Sequence, residues 1–252
     1  LARLLNDNDR PVVVFFAGKA HPSDMPGQHL IKLIHEFSKS EQFKGKVILL
    51  EDYDLELGRL LVSGVDVWLN TPEYPMEASG TSGEKAGING ALNLSILDGW
   101  WGEGYEEGNG WGITPHGPQY DNTYRNQEES RDLLDILEHE VIPCYFQRNS
   151  NGVSEQWIRM SKASMRLTIP RFNAQRMVMD YVTRFYSPAS KQGKKYIEND
   201  NAVAIQLANW KQSVNKLWPG VSMHYENTVP ETISSKDSVQ IRVSVNLNNL
   251  QS

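Results

Sequence analysis

The chain has 252 residues, enough for one large domain or two small ones with a substantial core. Its 39% hydrophobic and 22% charged residues are ordinary for a globular protein, and a formal net charge of -6 argues against a general nucleic-acid or membrane-surface binder, which needs a basic face. A single cysteine, Cys144, makes no internal disulfide and points to a reducing, cytoplasmic setting, while no apolar run reaches the roughly 18 residues that span a bilayer.

The opening LARLLNDNDR reads as the tail of a helix followed by a polar turn, so a chain starting at Leu1 is expected to be part of something longer. PVVVFFAGKA (11–20) is a β-branched and aromatic run of the kind that forms a buried parallel strand. GQHLIKLIHEFSKS (27–40) has Leu30, Leu33, Ile34 and Phe37 at helical spacing. A second strand is predicted at 45–53, a second helix at 55–64 and a third strand at 65–71. The βαβαβ alternation with short connections predicts an α/β fold with a doubly wound parallel sheet.

SGEKAGINGA then predicts a helix weakened by its glycines, LNLSIL (92–97) a strand, and 98–112 a Gly- and Trp-rich loop. Helices are predicted over 126–146, 153–168, 171–186 and 202–218, with Pro170 separating the second from the third. The last thirty residues change character. VQIRVSVNL (239–247) alternates as a half-buried antiparallel strand does, and VSMHYEN (221–227) is its expected partner.

The segment EASGTSGEK (77–85) carries the chemistry. In a parallel sheet ligands bind beyond the carboxyl ends of the strands, where this loop falls. Gly80, Ser82 and Gly83 allow backbone N–H groups to approach an anion, and Ser79, Thr81 and Ser82 add hydroxyl donors. It is not a P-loop, because Lys85 follows Glu84 and precedes Ala86. A lysine in the first turn, close to a bound phosphate, is placed to react with an aldehyde, the environment a pyridoxal phosphate uses. Glu77 suits the hydroxyls of a sugar. Spacing alone leaves open a plain turn with a solvated lysine and a surface glutamate. The three tryptophans of GWWGEGYEEGNGW (99–111) could stack on a glucan, although packing onto the domain is the simpler role. His21, His35, His116, His139 and His224 show no metal-ligand spacing, with or without Cys144.

EASGTSGEKAGINGALNLSILDGWW resembles the cofactor-lysine segment of the α-glucan (glycogen, starch and maltodextrin) phosphorylases. FFAGKAHPSD, LLEDYDLELGRLLVSGVDVWLNTP, NGWGI and PRFNAQRMVMDYVTRFY resemble further segments of that family in the same order, over roughly residues 11–186. The resemblance implies the C-terminal half of a glycosyltransferase-B fold. A Rossmann-like cofactor- and sugar-binding half-domain would span 1–187, and a helical linker with a β-rich extension 188–252. It also implies reversible phosphorolysis of α-1,4-glucan to glucose 1-phosphate, with orthophosphate as co-substrate and pyridoxal 5′-phosphate as cofactor. In that family the cofactor's 5′-phosphate, not its Schiff base, is the reactive centre.

By the same resemblance Lys85 is the Schiff-base lysine, Thr81, Ser82 and Gly83 hold the cofactor phosphate, Tyr53 approaches the cofactor, and Glu77, Ser79 and Gly80 bind glucose hydroxyls. Two departures stand out. Glu84 takes a position where relatives carry an uncharged residue, and the basic segment that contacts the phosphates has no counterpart in this sequence. The implied partner is therefore an N-terminal half of the same polypeptide, without which the chain is expected to be inactive. A helix crossing back to that half would otherwise leave an apolar face, which a homodimer would bury. A nucleotide-sugar glycosyltransferase half of glycogen-synthase type is the alternative within the fold, and a non-catalytic carbohydrate-binding module the alternative outside it.

Overall fold

The computed structural model describes residues 1–117, 120–228, 230, 232, 234, 235 and 238–250. The chain opens with a one-turn helix, α1 (Ala2–Leu5), whose Leu4 and Leu5 are buried, and the expected polar turn follows. Strands and helices then alternate: β1 (Val14–Ala17), α2 (Met25–Lys39), β2 (Val47–Leu50), α3 (Leu55–Gly64), β3 (Val67–Asn70), α4 (Thr81–Asn89) and β4 (Leu92–Ile96). The carboxylates of Asp24 and Asp54 start α2 and α3 by accepting from the N–H groups of Gly27 and Leu57.

The result is α/β with parallel pairing throughout this part, in two separately hydrogen-bonded sheets rather than one. β1 pairs with β2, and β4 lies between β3 and β5 (Gly110–Ile113). No ladder joins β2 to β3. The second sheet is instead tied to α3 through α4, where Val62, Ala86 and Ala91 form a small buried cluster with Val65 and Trp68 alongside. The first sheet is poorly covered, with Phe15 48% and Phe16 37% exposed.

The larger core lies on one face of the second sheet. β4 is buried at every position, and its alternation divides the work. Leu92, Leu94 and Ile96 join Trp111 and Ile113 of β5, in the register Leu94↔Trp111 and Ile96↔Ile113. Asn93 and Ser95, equally buried, take the opposite side. Val141, Cys144 and Met160 close the core from the helices that follow. Those are α6 (Asn122–Ile136), a π-helical turn (Leu137–Val141), α7 (Ile142–Phe146) and α8 (Glu155–Arg171).

Two expectations need correction. Residues 98–112 are not a loop: they hold the short helix α5 (Gly99–Gly104) and the strand β5. Asp98 nucleates α5 by accepting from the Gly99 N–H at 2.9 Å, and burial of Trp100 and Trp101 outweighs the glycine content. Trp111 is buried as well, so all three rings pack onto the domain, the simpler of the two roles the sequence offered them. Nor does Pro170 end its helix before the ring. It sits one residue from the end of α8, so the bond it cannot make and the carbonyl its ring crowds lie in the last turn, and the chain leaves helical backbone at Phe172.

By its internal contacts the chain divides into Leu1–Arg176 and Met177–Ser252, within α9 (Ala174–Tyr181). The second unit continues through a π-helical turn (Val182–Tyr186) into α10 (Ser187–Leu217), which is broken by non-helical backbone at Glu198–Asn201. β6 (Ser222–Tyr225) and β7 (Val243–Asn246) pair antiparallel as the alternation predicts, with Tyr225↔Val243 and Ser222↔Asn246 in register. Met223, Tyr225, Val243 and Val245 are exposed rather than half-buried. Among the described residues no helix is long and apolar enough to cross a membrane.

Candidate functional site

The candidate site is built where β3, α4 and α5 meet. After β3 the chain turns through Glu73–Met76 and reaches Glu77, whose N–H donates to Asp98 Oδ2 at 3.0 Å. Two residues later the Ser79 carbonyl accepts from the Trp100 N–H at 2.7 Å. The loop is thereby laid along the first turn of α5. Close approach is possible because Gly99 has no side chain: a Cβ there would stand 2.6 Å from the Ser79 oxygen.

Gly80 is the N-cap of α4 in the left-handed region, φ 88° and ψ 49°, where an L side chain is strained. A Cβ at Gly80 would also lie 3.1 Å from Glu77 Oε1, so the carboxylate of Glu77 passes directly over the helix start. α4 has no side-chain cap. By contrast α2, α3, α5, α6 and α8 are each capped by an Asp or Ser side chain. The Gly83 N–H donates to the Gly80 carbonyl at 3.0 Å, while the N–H groups of Thr81 and Ser82 have no partner among the described residues and keep their hydrogen-bonding capacity, and the helix dipole favours an anion there.

Lys85 stands one turn along α4, its side chain exposed and turned back toward the helix start. Its Nζ donates to Thr81 Oγ1 at 3.3 Å. Ser82 is half-buried and Gly83 fully so. A Cβ on Gly83 would fall 2.6 Å from Asn93 Oδ1 and 2.7 Å from Trp100 Nε1. Gly83 is thus the point at which α4 presses against β4 and α5, and its carbonyl accepts from Asn93 Nδ2 at 3.0 Å. Gly87, one turn on, lies against Thr168 and Ser164 of α8. The glycines of this helix are required by packing as much as by any anion.

Glu84 is half-buried on the neighbouring face of the helix. Burial pushes its carboxyl above the ordinary value of 4.5, opposed by a hydrogen bond from Ser79 Oγ at 3.5 Å and by the positive charges of Lys85 and Arg176. Glu103 adds to the upward push.

Glu77, Ser79, Gly80, Thr81, Ser82, Gly83 and Lys85 therefore share one helix start. Tyr53 is placed differently. It follows β2, and its hydroxyl would lie 2.9 Å from a Cβ on Gly58, so the ring rests on the first turns of α3. Among the described residues none of the hydrogen bonds of Glu77–Lys85 reaches Tyr53.

Sequence reasoning missed Asp98, which caps α5 with one oxygen and holds Glu77 with the other. Its signal was present, since an Asp directly after a strand and before Gly is a helix start. Asn93, Trp100 and Arg125 left no such signal, because their roles depend on long-range contacts.

A family model described as carbohydrate phosphorylase matches residues 3–110. The chain is 39% identical over 250 residues to maltodextrin phosphorylase of Thermococcus litoralis, an alignment covering 99% of this chain and 29% of that protein. It is 46% identical over 192 residues to glycogen phosphorylase of Aquifex aeolicus, covering 76% of this chain and 27% of that one. With glycogen phosphorylase of Mycobacterium bovis the identity is 38% over 223 residues, or 88% and 26% of the two chains. On its ordered motifs, its family match and these relatives, of which it spans less than a third of the length, the chain belongs to the carbohydrate phosphorylase family.

Proposed function

We propose that this chain is the cofactor- and glucose-binding part of an α-glucan phosphorylase, which converts α-1,4-glucan and orthophosphate to glucose 1-phosphate with pyridoxal phosphate. The observation that carries the proposal is the uncapped start of α4 with Lys85 Nζ brought back to Thr81 Oγ1 at 3.3 Å. A phosphate bearing an aldehyde on a short arm fits that pair of features: the N–H donors of Thr81 and Ser82, without partners among the described residues, and an amine one turn away.

Thr81, Ser82 and the amides up to Gly83 would hold the cofactor phosphate, and Lys85 would take its aldehyde. When bound, the cofactor supplies acid–base chemistry through its 5′-phosphate to the substrate phosphate. The chain's own groups bind and orient. Glu77, held by Asp98 and passing over Gly80, accepts hydrogen bonds from glucose hydroxyls, with Ser79 and Gly80 beside it. The positive end of α4 favours anions on the same side. Tyr53 is proposed to reach the cofactor from the end of β2, after leaving its place on α3.

In this reading residues 1–187 belong to the Rossmann-like, C-terminal half of a glycosyltransferase-B fold, with the helical and β-rich residues 188–252 as an extension. The cleft is completed by an N-terminal half in a cytoplasmic enzyme. The test is an assay of the complete encoded protein on glucan with orthophosphate against a nucleoside-diphosphate glucose. Phosphate-dependent release of glucose 1-phosphate is expected. Transfer from the nucleotide sugar alone would replace this reading with a synthase.

A further inference from the structure

Arg125 of α6 is a charged side chain with only 8% of its surface exposed, and its Nη2 donates to the Tyr74 carbonyl at 2.7 Å. Its Nε is buried without a partner among the described residues. Burying a guanidinium is unfavourable unless it is held by hydrogen bonds. Here the burial is spent on one main-chain oxygen of the segment leading into the candidate site.

Further ties fix the same helix. Asn122 Nδ2 donates to Glu73 Oε1 at 3.0 Å, next to Tyr74. Four residues beyond Arg125, the buried Glu129 accepts from the His116 N–H at 3.3 Å, and Asp132 meets His116 Nε2 at 3.1 Å. α6 thus grips the segments that follow β3 and β5, the two strands flanking β4.

From Tyr74 the chain has only Pro75 and the exposed Met76 before Glu77. On the far side Glu77 and Ser79 are fixed to Asp98 and Trp100. The loop is therefore suspended between two clamps, and a displacement at Tyr74 is transmitted to Glu77 within three residues. Leu133 and Ile136 seat α6 on the main core, which makes the Arg125 clamp a rigid one.

We propose that Arg125 is a positioning residue for the site: its bond to the Tyr74 carbonyl sets where the Glu77–Gly80 loop presents its sugar-binding groups. The proposal rests on the reading of that loop as the glucose contact.

The test compares the complete encoded protein with its Arg125→Met, Arg125→Lys and Asn122→Ala variants. Arg125→Met keeps an unbranched apolar stem and loses every donor. Its KM for glucose 1-phosphate is expected to rise roughly tenfold, since a misplacement of about 1 Å in a binding group can cost up to ~10²-fold. The yield of borohydride-reduced adduct at Lys85 should stay at the wild-type level. Arg125→Lys, which retains a donor, should recover part of the loss. Amide hydrogen exchange should quicken at Met76–Ser79 while the β4 amides stay protected, a readout that holds whether or not the loop binds glucose.

If Arg125→Met does not fold, Asn122→Ala, whose pair is exposed, decides on the same readouts with a smaller effect. Unchanged exchange at Met76–Ser79 in the folded variants would overturn the clamp. Faster exchange with an unchanged KM would overturn its role in sugar binding. Absence of phosphorylase activity or of a Lys85 adduct in the wild-type protein would instead refute the functional reading and leave the exchange result to judge the clamp.

Discussion

At Glu84 the sequence and the structure meet most sharply, because an acid occupies the turn beside Lys85 and burial raises its carboxyl above 4.5. The native state then holds its proton to higher pH than the unfolded chain does. Native protein binds more protons between 4.5 and the raised value, so stability falls as pH rises through that window and levels off above it. Glu84→Gln removes this dependence. The variant should match the wild type below pH 4.5 and gain in denaturation midpoint as pH rises, then hold that gain at neutral pH. A constant difference at every pH, measured by urea unfolding, would contradict the assignment. Gly83 makes the second residue-scale prediction. Gly83→Ala places a methyl against Asn93 Oδ1 and Trp100 Nε1, and overpacking of this kind costs about 1–3 kcal/mol. That outweighs the roughly 1 kcal/mol of helix propensity gained, so the unfolding midpoint should fall. From the sequence, the Gly/Ser run was legible as a turn into a helix that carries a lysine near its start. Spacing does not tell whether a glycine makes room for a ligand or for another element, and Gly83 and Gly87 turned out to do the latter.

The alternation of elements was equally legible where hydrophobic period is strong. The helix expected at 55–64 is α3, and the strands expected at 65–71 and 92–97 are β3 and β4 with frayed ends trimmed. Residues 98–112 were not, because glycine-rich composition hides a six-residue helix that exists through its cap and its buried tryptophans. Asp98 is accordingly the residue on which that region depends. Asp98→Ala should cost about 0.5–2 kcal/mol for the lost cap. It should cost more than a simple cap because the Glu77 N–H loses its acceptor too. Asp98→Asn, which keeps one acceptor, should recover part of the loss in thermal unfolding. Equal losses in the two variants would refute the dual role.

For the whole molecule, parallel pairing followed from the βαβ pattern, but the division into two sheets did not, since period says which residues are buried and not which strands pair. The antiparallel pair near the end was read correctly in partnership and wrongly in burial, since its apolar residues are exposed. The likeness to phosphorylases covers 76% to 99% of the chain but less than a third of their length. On the proposed reading, residues 1–252 by themselves should give no glucose 1-phosphate from glucan and orthophosphate, and detectable product from the purified chain would contradict it. The central claim is that the start of α4 and Lys85 form one site for a phosphate-bearing aldehyde. It is tested most directly by incubating the complete protein with pyridoxal phosphate, reducing with borohydride and mapping the modified lysine. A single adduct at Lys85, reduced by competing pyridoxine 5′-phosphate, which carries the phosphate but no aldehyde, and absent from Lys85→Ala, is the expected result; modification spread over other lysines, with Lys85 untouched, would contradict it.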